Sequence, residues 1–233
     1  LLQKKKRERE LAMLLVQTQV SHPGNSFDQQ IIAGVDRFLT SVASDAEFWK
    51  RVWQDRLDRE VDASEWNLKR SVGGTMDVET LTHFLYLRGL AEGSLPVGNR
   101  TTNTLQMLDQ LVAAGLLDGQ SGKWLSDSYR LLRLVELYLR LMDLPDRHSL
   151  PIHQGETEQP AIGPERETGE SPNLGFDLQE MDQTGVKTVP ENSILQQVLA
   201  SLMDYDRFDS LVEEIRDCMS ENRRLILEIA ARF

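Results

Sequence analysis

Apolar residues recur at spacings of three and four along almost the whole chain, and runs that alternate with period two are scarce. That rhythm predicts helices at about 2–20, 26–42, 45–61, 78–91, 101–116, 121–143, 192–204 and 206–231. Polar residues suited to capping stand before several of them: Ser26, Ser44-Asp45, Thr101 or Thr102, and Asp206. Gly115 and Gly119 mark the turn before the long helix at 121–143. The pattern predicts an all-α fold, a multi-helix bundle.

One stretch breaks the rhythm. From Pro145 to Glu191 lie six of the eight prolines and ten acids against three bases, with Phe176 the single aromatic residue. Such a composition buries too little apolar area to offset its ordering entropy. The sequence therefore predicts a helical domain over 1–144, an acidic flexible linker over 145–190 and a C-terminal helical hairpin over 191–233. In that hairpin Phe208, Leu211, Val212, Ile215, Met219, Leu225, Ile226 and Ile229 trace one stripe, expected to pack on a neighbouring helix, with a surface for another chain the alternative.

Charge and cysteine content narrow the function classes. With 26 basic and 37 acidic residues in 233, the net charge is −11, a poor basis for gripping a nucleic-acid backbone. No apolar run approaches the roughly 20 residues that span a bilayer. A single cysteine, Cys218, excludes an intrachain disulfide and points to a reducing, cytoplasmic setting. It lies among apolar helix positions and reads as a packed thiol. The chain opens Leu1-Leu2-Gln3-Lys4-Lys5-Lys6-Arg7-Glu8, already helical in composition and without methionine, and is expected to be cut from a longer protein.

Chemistry has few places to sit. The histidines are His22, His83, His148 and His153, and none stands at metal-ligand spacing with cysteine or carboxylate, save the pair His148 and His153 in the linker. There is no Walker loop, nucleophile elbow or dinucleotide fingerprint. On these grounds the segment is not a complete enzyme and holds no metal. The most unusual stretch is Asn67-Leu68-Lys69-Arg70-Ser71-Val72-Gly73-Gly74-Thr75-Met76-Asp77-Val78-Glu79, ahead of a strongly amphipathic helix. Adjacent glycines permit positive φ and close approach of another backbone or a phosphate. Asp77 is placed to cap the following helix and Glu79 to sit in its first turn. Two residues apart on a helix, they point about 200° away from each other, so they cannot grip one metal together. Tyr129, Arg133, Glu136 and Arg140 share one face of the densely apolar helix 121–143, as a solvated stripe or a buried ionic ladder, with a substrate-facing role the alternative.

The stretch from Lys69 to Glu79 resembles a signature of the glutamine synthetase adenylyltransferase family, in which Lys-Arg leads through Gly-Gly to Asp-x-Glu and a helix. The resemblance continues in order. Arg9-Glu10-Leu11-Ala12-Met13 is similar to the helix after the nucleotidyltransferase core. Arg100-Thr101-Thr102-Asn103-Thr104-Leu105, Ala113-Ala114-Gly115-Leu116-Leu117 and the Tyr129, Leu132-Arg133, Glu136 helix resemble later family segments. The match covers about 1–143. Two positions depart from it: Met76 stands where the family has arginine, and Thr80 where it has an aromatic residue.

The resemblance implies the helical partner or regulatory domain of an enzyme that transfers AMP from ATP to glutamine synthetase and removes it, under control of PII signalling protein. It implies ATP and Mg2+ in the parent enzyme, with the catalytic carboxylates in an upstream nucleotidyltransferase domain and neither cofactor bound by this segment alone. It implies that Lys69, Arg70, Gly73, Gly74, Asp77 and Glu79 border the nucleotide or that core, with Tyr129, Arg133 and Glu136 in support. A noncatalytic interaction module derived from the family, or a domain of a PII uridylyltransferase, fits the same resemblance.

Overall fold

The computed structural model describes residues 2–16, 26–45, 47–60, 66–96, 101–144, 148–152 and 191–232. Among them run eight helices and no strand: α1 (Leu2–Leu15), α2 (Ser26–Ala43), α3 (Phe48–Glu60), α4 (Thr75–Ala91), α5 (Thr104–Ala113), α6 (Gly119–Leu141), α7 (Glu191–Leu202) and α8 (Phe208–Ala230). The fold is all-α. The predicted continuation of the first helix to residue 20, and most of the stretch 145–190, lie outside the described residues.

Capping explains where several helices start. Asn103, not Thr101 or Thr102, caps α5, its side-chain oxygen accepting from the amides of Leu105 and Gln106. Asp118 accepts from the Ser121 amide at 2.8 Å, which starts α6 two residues before the predicted position. The α8 N-cap is Arg207 rather than Asp206, with no side-chain hydrogen bond.

Helix α4 is the centre of the bundle. Its sequence reads as amphipathic, but Thr80, Thr82, His83, Tyr86 and Gly89 are buried as well as Val78, Leu81 and Leu85. The reason is packing: α2, α3, α5, α6 and α8 all lie against it and leave only Met76, Glu79, Arg88 and Ala91 partly exposed. Two apolar cores result. One gathers residues of α1–α6 with Ile226 and Ile229 of α8. The other joins Leu132, Val135 and Leu139 of α6 to Leu199 of α7 and to Leu211, Ile215 and Met219 of α8, with Leu68 and Leu150. The predicted α8 stripe thus packs on its neighbours and feeds both cores.

Residues 148–152 are fastened to the loop before α4. Asn67 and Ser149 form an antiparallel bridge, Leu68 donates to the His148 carbonyl at 2.7 Å, and Leu150 donates to that of Trp66 at 3.1 Å.

Candidate functional site

The loop from Asn67 to Gly74 is built mainly from backbone hydrogen bonds. The Asn67 side chain accepts from the amides of Lys69 and Arg70. The Thr75 and Met76 amides return to the carbonyls of Leu68 and Lys69. Gly73 sits at φ +74°, the left-handed region that favours glycine. A Cβ there would stand 1.7 Å from the Met219 carbonyl oxygen, so the glycine is a seat for the backbone of α8. A Cβ on Gly74 would stand 2.5 Å from the Leu68 carbonyl oxygen, inside the loop itself.

Helix α4 begins at Thr75, three residues before the predicted position, with Gly74 as N-cap. Asp77 therefore lies inside the first turn instead of capping from outside. Its Oδ2 accepts from the Gly73 amide at 2.7 Å. The carboxylate is fully buried between two arginines: Arg56 Nε lies 2.6 Å from Oδ1, and Arg223 Nη1 3.2 Å from Oδ2. Arg56 also donates to the carbonyls of Arg70 and Ser71. Arg223 also reaches Glu60 at 3.3 Å and stacks on the Trp53 ring, its guanidinium carbon 4.9 Å from the centroid. Burial pushes the Asp77 carboxyl above its ordinary range, while Arg56, the Gly73 amide and Arg223 pull it back.

Glu79 points elsewhere, as the helical spacing predicts. Its Oε1 accepts from the Tyr129 hydroxyl at 2.8 Å. Burial first, and then the Glu79 charge, push the Tyr129 phenol up to about 12, so it stays a donor. Glu79 lines a groove of about 270 Å³ between α1, α3 and α4, together with Glu10, Met13, Asp55, Arg59, Met76, Thr80 and His83. Met76 and Thr80, the two positions that depart from the signature, thus face one groove. Burial holds His83 down to about 4, so it lies neutral there.

The other singled-out residues divide. Lys69 is half-buried and Arg70 exposed, and neither lines the groove. Glu136 is buried, with Arg133 Nη1 at 2.7 Å and His148 Nδ1 at 3.2 Å, while Arg133 and Arg140 remain exposed. The face of α6 is thus part buried ion pair and part solvated. Cys218 is buried, and burial with two nearby acids pushes its thiol up to about 11, which leaves it inert near neutral pH.

Three residues central to the site escaped sequence reading: Arg56, Asn222 and Arg223. Asn222 donates from Nδ2 to the Gly73 carbonyl at 3.0 Å and accepts from Ser128 Oγ at 2.7 Å. A signal for it existed, because an asparagine falls in the apolar stripe between Cys218 and Leu225.

Among the described residues no group of three or more His, Cys, Asp and Glu is placed to hold a metal ion. Asp77 does not fit the role of a magnesium ligand, since Arg56, Arg223 and the Gly73 amide already engage its oxygens. Nor is any described helix long and apolar enough to cross a membrane.

The model of the GlnD PII-uridylyltransferase family matches residues 47–173, from the start of α3 through the loop, α4, α5 and α6. The chain belongs to this family. Over 98 residues it is 38% identical to the bifunctional glutamine synthetase adenylyltransferase/adenylyl-removing enzyme of Xanthomonas campestris pv. campestris, a match that takes in 42% of this chain and 10% of that protein. The protein of the same description from Xanthomonas axonopodis pv. citri is 37% identical over 110 residues, 47% of this chain and 10% of its own length. That from Stenotrophomonas maltophilia K279a is 35% identical over 98 residues, again 10% of its length. The matched segment is therefore about a tenth of each of these relatives. The suspected kinship with glutamine synthetase adenylyltransferases holds, and the family segment includes Asp77, Glu79 and Tyr129.

Proposed function

We propose that this chain is the helical partner domain of a nucleotidyltransferase that adenylylates and deadenylylates glutamine synthetase in the control of nitrogen assimilation. The similarity to bifunctional glutamine synthetase adenylyltransferase/adenylyl-removing enzymes and the order of its motifs support the reading. The observation that carries it is the Glu79 carboxylate, oriented by Tyr129 and presented to the groove between α1, α3 and α4. In this reading the groove borders the upstream nucleotidyltransferase domain, and Glu79 is a polar anchor there. Gly73 and Asp77 hold the loop to α8, Gly74 lets the loop close on itself, Lys69 and Arg70 lie at its outer edge, and Arg133 and Glu136 steady the 148–152 segment behind it. ATP and Mg2+ are used by the parent enzyme in the cytoplasm, with their ligands in the core domain. Glutamine synthetase and a PII signalling protein are the partners.

The family description favours a second reading, uridylyl transfer to PII. One experiment separates them. The full-length protein is incubated with labelled ATP, Mg2+ and glutamine synthetase, or with labelled UTP, Mg2+ and PII. Incorporation of AMP into glutamine synthetase, reduced about tenfold or more by Glu79→Gln, supports the first reading. UMP on PII alone supports the second, and no transfer in either arm leaves a noncatalytic interaction module.

A further inference from the structure

Three acids from three helices face the groove between α1, α3 and α4: Glu10, Asp55 and Glu79. Two arginines face it as well, Arg56 and Arg59. Arg56 is already engaged, since Asp77 meets its charge, Nη2 donates to two carbonyls and Nη1 is enclosed. That leaves the groove net negative, in a chain that itself carries −11. Acidity alone would not distinguish the groove; Thr80 does. It is 9% exposed, lines the groove and makes no side-chain hydrogen bond with a described residue. Thr82, two residues on, shows the usual fate of a helical threonine, its hydroxyl donating to the Val78 carbonyl at 2.7 Å. The Thr80 hydroxyl has only the groove from which to draw a partner, and a buried polar group without one is costly. Met13, Val52 and Met76 form an apolar wall beside these acceptors.

We propose that this groove binds an alkyl chain ending in a primary ammonium group, either a lysine side chain of a partner protein or a free diamine. The methylene stem lies on the apolar wall, as the stems of long basic side chains do elsewhere. The ammonium head meets Glu79, Glu10 and the Thr80 oxygen. A guanidinium fits worse. It seeks both oxygens of one carboxylate, and Oε1 of Glu79 is already held by the Tyr129 hydroxyl. An ammonium needs single acceptors from several directions, which two helices supply here. Anionic ligands meet the same carboxylates and are turned away. An aromatic residue at position 80, as in the family signature, would fill this space and remove the hydroxyl. The proposal builds on Glu79 as a polar anchor, but its test reads binding and not nucleotidyl transfer, so either can fail without the other.

The test is saturation-transfer NMR on the full-length protein with three probes: Nα-acetyl-lysine amide, its uncharged isostere Nα-acetyl-norleucine amide, and cadaverine. Transfer to the lysine methylenes is expected, with the norleucine compound bound about tenfold more weakly. Glu79→Gln is expected to weaken ammonium binding about tenfold, and Thr80→Val, which keeps the volume, about threefold. Thr80→Phe is expected to abolish binding by filling the groove, without lowering the circular-dichroism melting temperature. Tighter binding of cadaverine identifies a free diamine as the ligand, and tighter binding of the lysine amide identifies a side chain of another protein. Equal binding of the lysine and norleucine compounds, no binding of either ammonium probe, or binding that survives both Glu79→Gln and Thr80→Val overturns the proposal.

Discussion

Asn222 and Gly73 lie 149 residues apart and are joined by a hydrogen bond of 3.0 Å, side-chain amide to carbonyl, in the interior of the molecule. The same asparagine accepts from Ser128, so one polar side chain of α8 ties the glycine loop to α6. Asn222→Ala leaves the Gly73 carbonyl and the Ser128 hydroxyl buried without it. The expected loss is roughly 1–3 kcal/mol of unfolding free energy, measured by urea denaturation, and Asn222→Leu recovers none of it.

Gly73→Ala is expected to be much worse than a typical glycine substitution. The new methyl meets the Met219 carbonyl, and the positive φ adds strain, for a cost of roughly 3 kcal/mol or more. Gly93 provides the comparison: its φ is +72°, but nothing lies within 4 Å of a Cβ there. Gly93→Ala is expected to cost about 1 kcal/mol. Similar melting temperatures for the two variants would show that α8 does not seat on Gly73.

The Asp77 cluster predicts a strong coupling. Asp77→Leu alone leaves Arg56 buried opposite no charge, at a cost of roughly 3–5 kcal/mol. Adding Arg56→Met is expected to restore part of that loss, so the double variant is more stable than the sum of the single changes. Simple additivity in urea melts would mean the pair is not coupled.

His83 makes stability fall with acid. Its folded value of about 4 lies below the ordinary 6.5, so the unfolded chain binds the proton first. Stability is complete above about pH 6.5 and declines as pH falls toward 4, by about 3 kcal/mol in all. In His83→Gln that part of the pH profile is expected to flatten, as followed by denaturant titration between pH 4 and 7.

Tyr129→Phe removes the donor that orients Glu79 while keeping the ring. A loss of about 1 kcal/mol is expected, and the same coupling should vanish in Glu79→Leu, which has no acceptor. In the full enzyme, Tyr129→Phe is expected to lower nucleotidyl transfer in the same direction as Glu79→Gln.

Much of the bundle is legible in the sequence because burial repeats with the helical period. The bounds of α2 differ from expectation by one residue, and those of α8 by two at most. The early start of α4 was hidden, because Gly74 caps without a side chain and Asp77 works from inside the turn. The site was legible in part. Opposed directions for Asp77 and Glu79 followed from their spacing alone, whereas the arginines that meet Asp77 come from α3 and from α8, 146 residues along the chain. Neither Arg56 nor Arg223 differs in local sequence from a solvated arginine. Only the tertiary fold selects them.

The Met219 seat on Gly73 also has a consequence for biosynthesis. The glycine loop leaves the ribosome well before its partner helix, and 146 residues separate the two contact points. At roughly 5–20 residues per second the loop waits roughly 7–30 s for α8 to be made. Throughout that interval Gly73 lacks the backbone it seats and Asp77 lacks Arg223. A nascent chain paused before α8 would therefore carry the family signature in an unfinished shape, open to capture by a chaperone.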